Sequence, residues 1–145
     1  MNVNRYLLAS IVVFIYFFVV EWLFHGVIMS GAYAAHLDLF RSRAEASTYA
    51  VWMILGFLIL AFGFTLIFTK GYENKGMCEG FRYGLYVGIA FGVSSLLVNY
   101  AVFPYPTSWL IGWIIGYMVI LILGGIIVAA LYKPKASAPA VATEQ

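Results

Sequence analysis

Apolar residues gather into four long runs along the chain, at about 6–30, 49–69, 83–103 and 109–132, with short polar segments between them. Each run supplies about 20 or more residues, the length an α-helix needs to cross ~30 Å of hydrocarbon. Inside a bilayer the backbone has no water to bond, so each run must close its hydrogen bonds within itself. A membrane β-barrel would instead leave ~10-residue stretches of alternating polarity, and the sequence contains none. The pattern predicts an all-α fold, an integral membrane antiparallel four-helix bundle over 1–132, followed by a flexible cytoplasmic tail at 133–145.

Tyr6, Tyr49, Trp52, Tyr83, Trp109 and Tyr132 lie near the ends of the runs, where amphipathic rings favour the headgroup level. Pro104 and Pro106 separate the third and fourth runs, because proline has no N–H to donate to a helix. The turn they form is so short that these two helices must be antiparallel neighbours. The first connection, 36–48, has room for a short amphipathic helix, and the second, 70–82, carries Gly71, Gly76 and Gly80 for a turn. The first run is about twice the ~7–15 residues of a signal peptide's apolar core. It also contains Glu21 and His25, so it is expected to be a retained helix.

Composition points the same way. With 64% apolar and 10% charged residues and a mean hydropathy of +0.96, the chain lacks the polar surface a water-soluble domain needs. Lipid is therefore the expected partner of most side chains. Arg5, Lys70, Lys75, Arg82, Lys133 and Lys135 fall on one side of a four-span chain, and Arg41 and Arg43 on the other. This asymmetry places both termini in the cytoplasm. A net charge of +2 without a basic stripe gives no footprint for nucleic acid. Cys78 is the single cysteine, so neither an internal disulfide nor a multi-cysteine metal motif can form, and no cofactor is implied.

Chemistry concentrates on Glu21 and His25, four residues apart and so on one helix face. An unpaired carboxyl group at membrane depth costs on the order of 2–3 kcal/mol or more, so Glu21 should turn inward. Glu21 and Asn99 lie similarly deep in their spans at ~1.5 Å per residue, which makes Asn99 the expected partner, with Ser94, Ser95 and Tyr100 nearby and Tyr117 approaching from the fourth span. Three roles fit a cluster of Glu21, His25, Asn99 and Tyr100. It can fix helix pairing through hydrogen bonds, it can bind a solute or relay protons, or Glu21 and His25 can share a metal. The last is weakest, because the paired Glu-x-x-His motifs of di-iron bundles are absent and His36 offers at best a distant third ligand.

Gly80, Gly84, Gly88 and Gly92 recur at every fourth position of the third run, and the fourth carries Gly112, Gly116, Gly124 and Gly125. Such small faces let helices approach closely. They predict packing of the third span on the fourth, or docking of a second copy or another membrane subunit. Glu79 and Arg82 read as a solvated interfacial pair, and Asp38, Arg41, Arg43 and Glu45 as the solvated face of the first connection.

The string GYENKGMCEGFRYGLYVGIAFG, the Pro-Tyr-Pro turn and the glycine-rich last run resemble small four-span bacterial membrane proteins, and the layout is similar to the DUF1761 group. The segment EWLFHG looks like an acidic-x-x-x-His-Gly element in such proteins. The resemblance implies a bacterial inner-membrane protein and brings no activity with it. Minimal loops, abundant small faces and no Walker A, G-x-S-x-G, H-E-x-x-H or C-x-x-C-H string favour a non-enzymatic accessory or scaffold subunit. The alternative is an oligomeric carrier of a small solute, ion or proton that uses Glu21, His25 and Asn99. The two diverge on whether Glu21 meets a cavity, lipid or a dry core.

Overall fold

The computed structural model describes residues 2–133, so the expected tail lies outside the described residues apart from Lys133. The described residues form helices and short connections without strands. Four helices are long and apolar enough to cross a membrane: Val3–Ile28, Ala44–Lys70, Met77–Val102 and Thr107–Leu131. They correspond to the four expected spans and suggest a multi-pass membrane protein. Their outward faces carry large apolar side chains such as Trp22, Ile59, Phe91 and Val98, each about two-thirds exposed, a surface suited to lipid rather than water.

The boundaries differ from the apolar runs where local capping extends a helix into polar sequence. The second helix begins at Arg43, six residues before the expected 49. Ser42 Oγ accepts the Glu45 backbone N–H at 3.3 Å while the Glu45 carboxylate accepts the Ser42 N–H at 3.1 Å. This reciprocal capping box satisfies two donors that a helix start otherwise leaves open. The third helix starts at Met77 rather than 83, after a loop whose Asn74 and Gly76 both take positive φ. The first connection folds as a four-residue helix, Ser30–Tyr33, and a 3-10 turn, Ala34–Leu39.

Glu79 corrects an expectation. It is buried rather than solvated, and it accepts the backbone N–H groups of Glu73 at 2.6 Å and Lys75 at 2.8 Å. Arg82 pairs instead with Glu73, at 3.0 Å, alongside Lys75 at 2.6 Å. Burial of Glu79 follows from its place in the first turn of the third helix, where a carboxylate can organise the preceding loop. Arg41 is exposed but stacks its guanidinium 3.9 Å above the Tyr49 ring.

The fourth helix touches each of the other three. A Cβ on Gly80 would overlap the Gly125 carbonyl, and one on Gly84 would overlap the backbone of Leu121 and Ile122. The third and fourth helices therefore meet backbone to backbone at this end. Farther along, Gly88 and Gly92 face the side chains of Met118, Leu121 and Tyr117. Gly112 and Gly116 face the first helix rather than the third: Met29 lies over Gly112 and the Phe24 ring over Gly116, while Phe17 covers Gly124. Tyrosine hydroxyls tie helices together by donating to main-chain carbonyls, Tyr6 to Phe62 at 3.3 Å, Tyr16 to Ile120 at 3.1 Å and Tyr83 to Phe64.

One end of the molecule gathers the start of the chain, the second connection and the end of the fourth helix. Asn2 Nδ2 donates to the Lys133 carbonyl at 3.3 Å, and the Tyr72 and Tyr132 rings lie 5.4 Å apart. The other end gathers the first connection and the start of the fourth helix, with Trp109 Nε1 donating to the Ala32 carbonyl at 3.3 Å.

Candidate functional site

Glu21 sits on the inward face of the first helix, 7% exposed. Its Oε2 lies 3.2 Å from His25 Nε2, the pairing that the i, i+4 spacing puts within reach. One residue after Leu23 the helix widens into a π turn, Phe24–Ile28, and the chain then bends through Met29 into Ser30–Tyr33. That bend carries Tyr33 back over His25, with the two rings stacked at 5.9 Å. The Tyr33 hydroxyl lies 2.6 Å from His25 Nδ1. From the fourth helix, Trp113 Nε1 donates to the same hydroxyl at 2.7 Å. The result is a continuous chain from carboxyl to imidazole to phenol to indole.

Proton positions follow from what each group can do. The indole is a donor only, so the Tyr33 oxygen accepts from Trp113 and keeps its own proton to give. Donated to His25 Nδ1, that proton leaves Nε2–H to point at Glu21, which is neutral histidine beside a carboxylate. If both imidazole nitrogens carry protons, the Tyr33 oxygen accepts twice and Glu21 still accepts from Nε2. The same heavy-atom positions thus serve two proton loads. Burial raises the Tyr33 phenol above its ordinary value, the Trp113 hydrogen bond opposes this, and the nearby Glu21 charge adds to the rise. Tyr33 therefore stays a protonated donor across the physiological range.

The carboxyl end of the chain opens on a cavity of about 320 Å³ lined by Phe18, Glu21, Trp22, His25, Gly26, Met53, Phe57 and Tyr117. Tyr117 therefore reaches the Glu21 level from the fourth helix. Asn99 does not. Its Nδ2 donates to the Ser95 carbonyl of its own helix at 2.9 Å, and it borders a separate cavity of about 300 Å³ with Phe40, Tyr105, Trp109 and Trp113. Tyr100 also lies apart, its hydroxyl 2.6 Å from Thr107 Oγ1. Ser94 bonds back to the Ala90 carbonyl. Among the described residues no three His, Cys, Asp or Glu side chains group as metal ligands, and His36 packs on Trp109 rather than on Glu21.

Tyr33 and Trp113 are the site residues that sequence reasoning passed over. Tyr33 lies eight residues past His25, a spacing with no helical meaning across a π turn and a bend. Only the aromatic cluster it shares with Trp109 and Trp113 hints at a buried partner. No protein-family model matches this chain, and no curated protein or solved structure is significantly similar to it.

Proposed function

We propose that the chain is an antiparallel four-helix membrane bundle, with both termini in the cytoplasm of a bacterial inner membrane, that works as an oligomeric carrier with a proton-exchange site at Glu21 and His25. The observation that carries this reading is the position of Glu21: a buried carboxyl that borders a cavity and joins, through His25, a hydrogen-bonded chain to Tyr33. In the proposed orientation Tyr33 is the outer end of that chain, and the cavity is where a solute would meet the carboxyl group. A scaffold or accessory subunit could use the chain from Glu21 to Trp113 to tie the first helix to the fourth, a role that does not call for the carboxyl group to border a cavity. Four helices enclose little space alone, so the transport path is assigned to a dimer or larger assembly.

Infrared difference spectra of the purified protein across a pH step test the site. An acid-carbonyl band that is absent in Glu21→Gln, together with an imidazole band absent in His25→Gln, is expected. Tyr33→Phe should slow the appearance of the carboxyl band, because it removes the phenol that feeds His25. If wild type and Glu21→Gln give the same spectra, Glu21 exchanges no proton and the cluster is structural.

A further inference from the structure

The Glu21 cavity contains more hydrogen-bonding capacity than the chain uses. Glu21 offers Oε2 to His25, while among the described residues neither its Oε1 nor the Tyr117 hydroxyl has a hydrogen-bond partner. Both groups line the same void. Around them stand the rings of Phe18, Trp22 and Phe57 and the thioether of Met53. Aromatic faces attract cations through their quadrupole, and the carboxylate supplies an opposite charge in surroundings that screen little. An anion would meet Glu21 as a like charge, and a neutral solute would leave the carboxylate uncompensated whenever His25 is neutral.

Resting on the proton-exchange reading above, we infer that the solute is a small lipophilic amine in its protonated form. It occupies the cavity with its N–H groups directed to Glu21 Oε1 and the Tyr117 hydroxyl while His25 is neutral. As Tyr33 passes its phenol proton to His25 Nδ1 and takes up another from the outer surface, the imidazole becomes a cation, neutralises the Glu21 pair and releases the ammonium. Charge balances, because one ammonium leaves as one proton enters, and no bond other than those to hydrogen changes. At about 320 Å³ the cavity, open on the side of the exposed Trp22 and Met53, lies near the small end of ligand pockets, which suits a single ring bearing an aminoalkyl group. The other titratable groups facing the pair are Tyr16 on the same helix, Tyr33 from the short helix and Tyr117 from the fourth. The second helix presents only Met53 and Phe57 to the void, and no lysine or arginine lines it.

Calorimetric titration of the purified full chain with benzylamine, in two buffers of different ionisation enthalpy, reads affinity and protons released together. Benzylamine should bind and benzyl alcohol should not. On the acid limb the amine's affinity should rise about tenfold per pH unit with one proton released per amine. Glu21→Gln should weaken binding by about 30-fold or more, and Glu21→Asp, which keeps the acid, should recover part of it and exclude misfolding as the cause. Benzyl alcohol binding as tightly as benzylamine, or amine binding without proton release, overturns the proposal. If benzylamine fails to bind while the Glu21 carboxyl band persists, the amine class is wrong and the proton site stands. Loss of both removes the site as well.

Discussion

Gly84→Ala is the sharpest probe of how the third and fourth helices meet. The added Cβ would stand 2.6 Å from Ile122 Cα and closer still to the Leu121 carbonyl. Neither neighbour is a side chain that can rotate away, so the helices must separate by about 1 Å to reach ordinary contact. A gap of that size forfeits a quarter to a half of each dispersion contact at the crossing, and overpacking of this kind costs about 1–3 kcal/mol. Backbone neighbours place Gly84 at the upper end of that range. Alanine recovers up to about 1 kcal/mol of helix propensity, leaving a net loss of about 2 kcal/mol, or roughly 30-fold in the folding equilibrium. Gly88→Ala is the control, because its Cβ would meet Met118 Sδ at 2.8 Å and Cε at 3.3 Å, the movable end of a flexible side chain. Its net change should be near zero. Unfolding in mixed micelles with increasing sodium dodecyl sulfate, followed by circular dichroism, measures both. If Gly84→Ala is as stable as wild type, or falls no further than Gly88→Ala, the backbones do not touch there.

Three further outcomes follow from other parts of the molecule. Cys78 is exposed beside the second connection, so a membrane-impermeant maleimide should label it only after permeabilisation, whereas Arg41→Cys on a Cys78→Ser background should label in intact cells; labelling of both from the same side refutes the four-span topology. Glu79→Ala leaves the Glu73 and Lys75 N–H groups without their acceptor. It should cost about 1–3 kcal/mol and speed hydrogen exchange at those two amides, and unchanged exchange would show that the loop does not depend on Glu79. Glu73 is held below the usual carboxylate range by its hydrogen bonds to Lys75 and Arg82. A lowered folded-state value means that its contribution is present above about pH 4.3 and is lost as the pH falls through that lowered value. A carbon-13 titration of Glu73 should therefore find a midpoint under 4.3 that moves up in Arg82→Ala, and a midpoint at or above 4.3 in wild type would contradict the pairing.

The four long apolar helices were legible in the sequence because twenty consecutive apolar residues have few other fates. Their starts were less so. The stretch from Arg43 to Thr48 is polar enough to read as connection, yet the Ser42-x-x-Glu45 spacing was there to announce a helix start. Glu79 looked like a surface charge because its role depends on a loop folding back over it, which needs the positive φ of Asn74 and Gly76. Glu21 and His25 were found together because helical spacing alone joins them. Asn99 shares only the depth of Glu21, and depth fixes a residue's level along a helix but not the direction in which its side chain points, here back to the Ser95 carbonyl. Tyr33 and Trp113 come to His25 through a bend and through the face the fourth helix presents, and neither is a property of any short window of sequence. The glycines of the fourth helix were equally ambiguous until the structure divided them, with Gly112, Gly116 and Gly124 serving the first helix and Gly125 the third.

The π turn at Phe24–Ile28 also constrains how this sequence can vary in length. A π turn takes up one residue more than an α turn, so a chain lacking a single codon there could close the segment as ordinary α-helix and still cross the membrane. Glu21 and His25 would remain four apart and paired if the missing residue were Gly26. Because the π turn absorbs the extra residue within one turn, everything beyond the deletion would keep its face of the helix. A helix that kept the residue but wound it as α-helix would instead turn everything beyond it by about 100°, so the π turn is what lets the longer sequence hold Tyr33 over His25.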